Sequence, residues 1–149
     1  MLLISHRGNL EGPNKNIENN PQHIESIINS YDVEIDLRVE NDSLFLGHDY
    51  AQYEISEEWI SKHSHRLWIH CKDVKSLTFC SKHRHLNYFW HENDDYTMTS
   101  FKYIWAYPGK EIADHMTILV LPETRWSYDE IKQLSPIGIC SDYVKLYIL

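Results

Sequence analysis

The 149-residue chain carries a net charge of −8 and only 14 Lys and Arg residues, which excludes the basic stripe that nucleic-acid binders normally present. Its hydrophobic fraction of 42% and charged fraction of 24% are those of an ordinary globular protein with one core. No apolar run approaches the roughly 18 residues of a membrane span, and the first residues lack the basic region and long apolar stretch of a secretion signal. We therefore predict a single cytoplasmic domain over residues 1–149, with no nucleic acid as a partner and no integral membrane segment.

The predicted elements alternate between strands and short helices. Eight strand-like segments are predicted, at Leu2–His6, Val33–Val39, Leu44–His48, Leu67–Lys72, Asn87–Glu92, Lys102–Tyr107, Thr117–Leu121 and Gly138–Val144. Helix-start signals precede four apolar stretches, with caps at Asn20, Ser56, Asp73 and Ser127. No helix is predicted for residues 93–100 or 109–115. Strands that alternate with helices favour a parallel sheet with right-handed crossovers.

The 10 histidines are many for this length, and their positions divide them. Four lie among Lys and Arg residues at predicted helix C-terminal ends, where a solvated surface is expected: His63, His65, His83 and His85. Four others end predicted strands and are therefore the candidates for chemistry: His6, His48, His70 and His91.

Two carboxylates lie inside the second predicted strand, "VEIDLRV". Period-two alternation puts Glu34 and Asp36 on the face opposite to Val33, Ile35 and Leu37. In a parallel sheet both faces are normally covered, and two adjacent acids are costly to bury without a cation. A bound metal ion is therefore the favoured explanation, and a solvent-exposed face is the alternative.

Side chains suited to phosphate chemistry occur at the ends of several other predicted strands. They are His6 and Arg7 before Gly8, His48 in Gly47-His48-Asp49, His70 and Lys72 on one face of "LWIHCK", and Asp142 in "GICSDYV". In a βα barrel the C-terminal ends of the strands meet at one mouth, where such enzymes keep their active sites. The pattern therefore predicts that these side chains converge.

These motifs resemble those of the glycerophosphodiester phosphodiesterases, which belong to the wider group of phosphodiesterases with a phospholipase-C-like TIM barrel. The resemblance rests on "HRG" after the first strand, "EN" at Glu18-Asn19, "EIDLRVENDSLFLGHD" and the terminal "GICSDYV". It covers residues 1–50 and extends to Leu67–Lys72 and Gly138–Val144. It implies a metal-dependent phosphodiester hydrolase, or a cyclising phosphodiesterase, that acts on a small glycerophosphodiester-like substrate.

The resemblance also implies a role for each matching residue. The acid–base pair would be His6 and His48, the phosphate would be bound by Arg7 and Lys72, and a divalent ion such as Mg²⁺, Ca²⁺ or Mn²⁺ would be held by Glu34 and Asp36. Further pocket residues would be Glu18, Asn19, His91, Trp105 and Asp142. For Trp105 and its aromatic neighbours, packing in the barrel interior is the alternative.

At the third metal-ligand position this chain departs from the family. Family members usually carry Glu-x-Lys there, whereas this sequence has His70-Cys71-Lys72. An imidazole ligand shifts the preference towards Mn²⁺, Fe²⁺ or Zn²⁺ without excluding Mg²⁺. Glu92 in "FWHE" is a second possible source of the missing oxygen ligand, and a core histidine without a ligand role is the alternative for His70.

The length predicts a reduced version of the family's fold. TIM barrels typically take ~250 residues, and this chain leaves about 19 for each of eight strand–helix units. We therefore expect an α/β fold, a compact, pared-down TIM-like (β/α) barrel with about seven or eight mostly parallel strands and some helices missing. Two other functions fit the same motifs: a non-catalytic phosphoanion-binding module, and a metal-independent lyase of the phospholipase C kind.

Overall fold

The computed structural model describes residues 1–148 of the chain, which contain ten strands and four short helices. The strands are β1 (Leu2–His6), β2 (Asp32–Glu40), β3 (Ser43–Leu46), β4 (Tyr53–Ile55), β5 (Leu67–Cys71), β6 (Asn87–Phe89), β7 (Tyr96–Met98), β8 (Ile104–Ala106), β9 (Thr117–Val120) and β10 (Gly138–Ser141). The helices are α1 (Pro21–Ile27), α2 (Glu57–His63), α3 (Val74–Ser81) and α4 (Tyr128–Leu134), and 3₁₀ turns cover Pro122–Thr124 and Val144–Tyr147. Leu149, which the predicted domain includes, lies outside the described residues.

All ten strands belong to one mixed sheet that curls into an open half-barrel. Its order is β4-β3-β2-β1-β10-β9-β8-β7, and β5 pairs with β2 and with β6. Six strand pairings are parallel, and the β2–β3, β3–β4 and β7–β8 pairings are antiparallel. The parallel strands bring the ends of β1, β2 and β5 side by side, and this positions the candidate site.

The predicted TIM-like barrel is wrong. A TIM barrel closes eight parallel strands that each feed a helix, whereas this sheet is open, contains antiparallel pairs and carries only four helices of seven or eight residues within the described chain. The reason lies in the connections, because a parallel crossover needs a dozen or more residues. After β2 and after β7 the chain instead turns back within a few residues.

The turn after β2 explains the first antiparallel return. Asn41 and Asp42 have positive φ angles of 48° and 62°, the combination that a two-residue type I′ hairpin requires. Asn and Asp tolerate this conformation better than most residues. This turn, in "END", is where the chain changes from parallel to antiparallel pairing. The sequence patterns do not predict the short strands β4 and β7.

The four helices begin where the sequence predicts caps. In each, the side chain of the capping residue accepts a hydrogen bond from a backbone N–H of the first turn, at Asn20, Ser56, Asp73 and Ser127. The apolar sides of these helices cover one face of the sheet. Ile24, Ile60 and Cys80 pack there with Val33 and Ile35 of β2, and all five are essentially inaccessible to solvent.

The opposite face of β2 looks into the half-barrel. The floor of this interior is apolar and is formed by Ile4, Trp68, Phe89, Trp105, Ile118, Val120 and Cys140. Trp105 packs in this floor with ring centroids 4.5 Å from Phe89 and 5.8 Å from Trp68. Polar side chains from the same strands gather over this floor. None of the helices within residues 1–148 has the length and apolar character that crossing a membrane requires.

Candidate functional site

The acidic pair of β2 lies inside the half-barrel and is shielded from solvent. Glu34 is 2% exposed and Asp36 is 0% exposed. In the strand register Glu34 lies beside His6 of β1, and Asp36 lies beside His70 of β5. Paired residues of neighbouring strands share a face, so the alternation that the sequence predicts brings both acids next to the two candidate histidines.

His70 completes a group that could hold a metal ion. Its Nδ1 lies 3.4 Å from Asp36 Oδ1 and 3.6 Å from Glu34 Oε1. One ligand atom from each of these three side chains lies within 4.8 Å of the others. This group does not include Glu92, which is exposed at the rim and contributes only to the lining of the neighbouring cavity.

The contacts of the two Asp36 carboxylate oxygens indicate whether these residues fit a cation. Asp36 Oδ2 accepts a hydrogen bond of 2.9 Å from Asn19 Nδ2 and lies 2.9 Å from Arg7 Nε. Asp36 Oδ1 is buried and accepts no hydrogen bond, and the nearest cationic group besides His70 is Lys72 Nζ at 3.8 Å. A buried oxygen without a hydrogen bond is costly, and a divalent ion would relieve that cost. The residues therefore fit a metal ion.

Asn19 holds the Asp36 segment in place, which accounts for part of the "EN" motif. Asn19 is 1% exposed and adopts a positive φ of 57°. Its side-chain oxygen accepts the backbone N–H of Asp36 at 2.9 Å, while its amide group donates to the carboxylate. Glu18 accepts a hydrogen bond from Asn9 at 3.0 Å and lies 3.8 Å from Arg7 Nη1. Both predicted pocket residues thus support the acids and the arginine.

The charges of this group shift two pKa values in opposite directions. Burial by itself would raise the pKa of Asp36, but the adjacent His70 imidazole and the charge of Arg7 hold it well below its usual range. Burial opposes protonation of His70, yet Asp36 and Glu34 raise its pKa to about 9. A protonated His70 therefore compensates the two acids when no other cation does so.

This shift predicts a pH-dependent stability for protein stripped of divalent ions by a chelator. A folded-state pKa raised from 6.5 to about 9 stabilises the fold below pH 6.5, and that contribution disappears as the pH rises through 9. The loss should be about 3 kcal/mol, measured by urea unfolding between pH 6 and pH 9.5. His70→Gln should remove this slope. An identical pH dependence in the wild type and in His70→Gln would show that another group is responsible.

His6 is oriented by a carboxylate behind it. His6 Nδ1 donates to Asp142 Oδ1 at 2.8 Å, and the same oxygen accepts a hydrogen bond of 2.8 Å from the buried Asn9. His6 Nε2 lies on the other side of the ring, 4.0 Å from Glu34 Oε2. Burial opposes protonation of His6, but the hydrogen bond that His6 donates to Asp142 and the charge of Glu34 outweigh it and raise the pKa of His6.

Sequence reasoning missed Glu123, which supports Asp142. Glu123 Oε1 accepts the backbone N–H of Asp142 at 3.1 Å, and Glu123 Oε2 is buried without a hydrogen-bond partner. Burial raises the pKa of this carboxyl group. The available sequence signal was its place directly beyond the predicted strand Thr117–Leu121, at the same rim as the other candidates.

His48 lies in a loop that requires glycine at position 47. A Cβ on Gly47 would lie 2.0 Å from the carbonyl oxygen of Tyr50, so Gly47 is required for the loop to close this tightly. Arg38, another residue that sequence reasoning missed, donates to the carbonyl oxygens of both Gly47 and His48. His48 Nδ1 donates to Asp49 Oδ1 at 2.7 Å, and its side chain is 40% exposed.

One cavity of about 290 Å³ brings most of the predicted site residues together. Its lining includes His6, Arg7, Glu34, His48, His70, Lys72, His91, Glu92 and Trp105. A second cavity of about 510 Å³ shares Arg7 and His48 with the first and is lined also by Glu18 and Asn19. Of the predicted site residues, Asp36 lies buried beside the first cavity and Asp142 lies behind His6.

The expectation that four histidines form a solvated surface is wrong for His63. His65 and His85 are exposed and His83 is half-buried. His63 is 7% exposed, with its Nε2 3.2 Å from Glu25 Oε1 and its ring 5.0 Å from that of Trp59. The last turn of α2 therefore packs towards α1, and His63 has a structural partner.

The chain was compared with family models, curated proteins and solved structures. None of them matches. The assignment of a function therefore depends on the residues and geometry of the site described above.

Proposed function

We propose that this protein is a metal-dependent phosphodiesterase of the glycerophosphodiester phosphodiesterase kind, which cleaves a small phosphodiester substrate. One observation carries the proposal: a cavity of about 290 Å³ is lined at once by two imidazoles outside the metal-ligand group, by two cations and by members of the metal-ligand group. Those residues are His6 and His48, Arg7 and Lys72, and Glu34 and His70. Metal-dependent phosphodiester cleavage uses proton transfer by acid–base groups, phosphate binding by cations and charge neutralisation by a metal ion, and these residues could supply all three.

Glu34, Asp36 and His70 would hold the divalent ion. When bound, the ion neutralises charge on a non-bridging phosphate oxygen. The unpartnered oxygen of Asp36 and the short distances to His70 Nδ1 support this donor set. Arg7 keeps Asp36 ionised from the other side, since its Nε lies 2.9 Å from Asp36 Oδ2.

Arg7 and Lys72 would bind the phosphate. Arg7 lines both cavities, so a diester with its phosphate at their junction would place one alcohol group in each cavity. Its backbone is held by hydrogen bonds to the main chain and the carboxylate of Glu34, at 3.0 Å and 3.3 Å. Its guanidinium is held by Asp36, 2.9 Å from Nε, and by Glu18, 3.8 Å from Nη1. A guanidinium fixed in this way stabilises developing charge without reorganising.

His6 and His48 would transfer protons. Because Asp142 accepts the Nδ1–H of His6, the neutral ring has its lone pair on Nε2, which is the nitrogen on the side of Glu34. Asp49 sets the same tautomer for His48. One ring would accept the proton of the attacking hydroxyl, and the other would protonate the departing alkoxide. The attacking group is water, or a neighbouring substrate hydroxyl that yields a cyclic phosphate.

A substrate panel tests the proposal. The purified full chain is incubated with glycerophosphodiesters and with bis(p-nitrophenyl) phosphate, each divalent metal being added in turn after chelation. We expect turnover that disappears with the chelator and returns with a metal. Activity that survives complete chelation would indicate the metal-independent lyase. A protein that cleaves no diester and binds no divalent ion would instead be a phosphoanion-binding module.

A further inference from the structure

We infer that His70 is a metal ligand through Nδ1, and that it makes the site select a transition-metal ion, Mn²⁺, Fe²⁺ or Zn²⁺, against Mg²⁺ and Ca²⁺. This inference rests on the metal centre of the proposed function and goes beyond it, because it names the ligand atom and the class of ion. Three independent contacts of the His70 ring carry the argument.

The first contact fixes the tautomer of the ring. His70 Nε2 lies 2.8 Å from the main-chain carbonyl oxygen of His91. A carbonyl oxygen only accepts hydrogen bonds, so Nε2 carries the proton, and the lone pair of the neutral ring is on Nδ1. Histidines that bind metals typically donate their other ring nitrogen to a carbonyl or carboxylate in this way.

The second contact fixes the plane of the ring. His70 stacks on Phe89 with centroids 4.9 Å apart and an interplanar angle of 17°. Phe89 belongs to the buried floor of the half-barrel and is 2% exposed. The ring is therefore held from one side by packing and from one edge by a hydrogen bond, so the direction in which Nδ1 points is set before any ion binds.

The third contact shows which atoms Nδ1 faces. Nδ1 lies 3.4 Å from Asp36 Oδ1, the buried oxygen that accepts no hydrogen bond, and 3.6 Å from Glu34 Oε1. Ligands at roughly 2.1 Å from one ion are roughly 3.0–3.5 Å apart, as an estimate from common coordination distances. The distances from Nδ1 to the two carboxylate oxygens are thus already close to the separation of ligands that share an ion, and the ligand atoms of all three side chains lie within 4.8 Å of one another.

The donor types then determine the class of ion. Mg²⁺ and Ca²⁺ prefer sites made of oxygen atoms alone, whereas imidazole favours later first-row transition metals and Zn²⁺. Glu92, the other acid suggested by the sequence, is exposed and lies outside the group, so within residues 1–148 the group contains two carboxylates and one imidazole. Replacing that imidazole by a carboxylate should shift the preference towards Mg²⁺ and Ca²⁺.

Calorimetric titration measures the preference without relying on turnover. Affinities for Mn²⁺, Zn²⁺, Mg²⁺ and Ca²⁺ are determined for the wild type, for His70→Glu and for His70→Gln, with His85→Glu as the matched control at an exposed histidine. We expect His70→Glu to lower the ratio of Zn²⁺ to Mg²⁺ affinity by at least roughly tenfold. The ratio is compared because transition metals bind most sites more tightly than Mg²⁺, so the affinity for one ion does not show whether the imidazole is a ligand. His70→Gln should weaken Zn²⁺ and Mn²⁺ more than Mg²⁺, and His85→Glu should leave the ratio unchanged.

The outcomes separate this inference from the proposed function. An unchanged ratio in both His70 variants would overturn the role of Nδ1 while leaving a metal-dependent enzyme intact. A wild-type protein that binds Mg²⁺ or Ca²⁺ more tightly than Mn²⁺ and Zn²⁺ would also overturn the inference and leave a metal-dependent enzyme intact. If the wild type binds none of the four ions, the metal centre of the proposed function fails as well.

Discussion

Replacing Glu34 by glutamine should strongly weaken divalent-ion binding and reduce phosphodiester turnover by roughly a hundredfold to a thousandfold. Glutamine keeps the shape of the side chain but removes the negative charge from a group that is 2% exposed. One oxygen of Glu34 lies 3.6 Å from His70 Nδ1, and the other accepts the backbone N–H of Arg7 at 3.3 Å. The substitution therefore acts on the metal group and on the backbone of the phosphate-binding arginine together.

Metal affinity and turnover are both needed to test this prediction. Metal affinity is measured by titration calorimetry and turnover by release of the alcohol product, with circular dichroism to confirm folding. Glu54→Gln makes the same chemical change at an exposed position of β4 and should leave both quantities unchanged. Full turnover in Glu34→Gln, with or without metal binding, would remove this carboxylate from the mechanism.

Replacing His6 by alanine should lower turnover by roughly 10²- to 10⁴-fold, the range found for the loss of a general acid or base. His6 is not a member of the metal-ligand group, since its Nε2 is 4.0 Å from the nearest Glu34 oxygen. The variant should therefore bind the divalent ion about as tightly as the wild type. A large loss of turnover with metal affinity preserved separates proton transfer from metal binding.

The control for this variant is His85→Ala, which removes an exposed imidazole from the loop between α3 and β6 and should leave turnover unchanged. The pH dependence of kcat/KM adds a second readout, because the wild-type profile should contain an ionisation that His6→Ala lacks. Wild-type turnover in His6→Ala would assign the acid–base role to other groups. Loss of metal binding in His6→Ala would mean that the imidazole holds the metal group in place.

Local patterns in the sequence predicted the four helices, eight of the ten strands in residues 1–148 and the shared face of the two acids in β2. A cap followed by apolar residues at helical spacing correctly predicted all four helix starts, since helix capping involves residues two or three positions apart. Alternation in β2 likewise placed Glu34 and Asp36 on a common buried face, because the side-chain period of a strand is a property of its backbone.

Those patterns do not predict whether the sheet closes into a barrel. Strand-like segments predict that strands exist, but whether a sheet closes depends on the length and turn type of each connection and on pairing between distant segments. The Asn41-Asp42 turn sends β3 back antiparallel to β2, and β7 pairs antiparallel with β8. The result is an open half-barrel where a pared-down barrel was expected.

By itself, then, the sequence determined where the helices begin, which face of β2 carries its acids and which residue types end the strands. Only the tertiary structure decided how those side chains are oriented. The hydrogen bond between His6 and Asp142 joins residues 136 positions apart, the carbonyl of His91 sets the tautomer of His70, and Glu123 supports Asp142 from another strand end. Each of these contacts depends on the path of the whole chain, whereas capping and alternation depend on a few neighbouring residues.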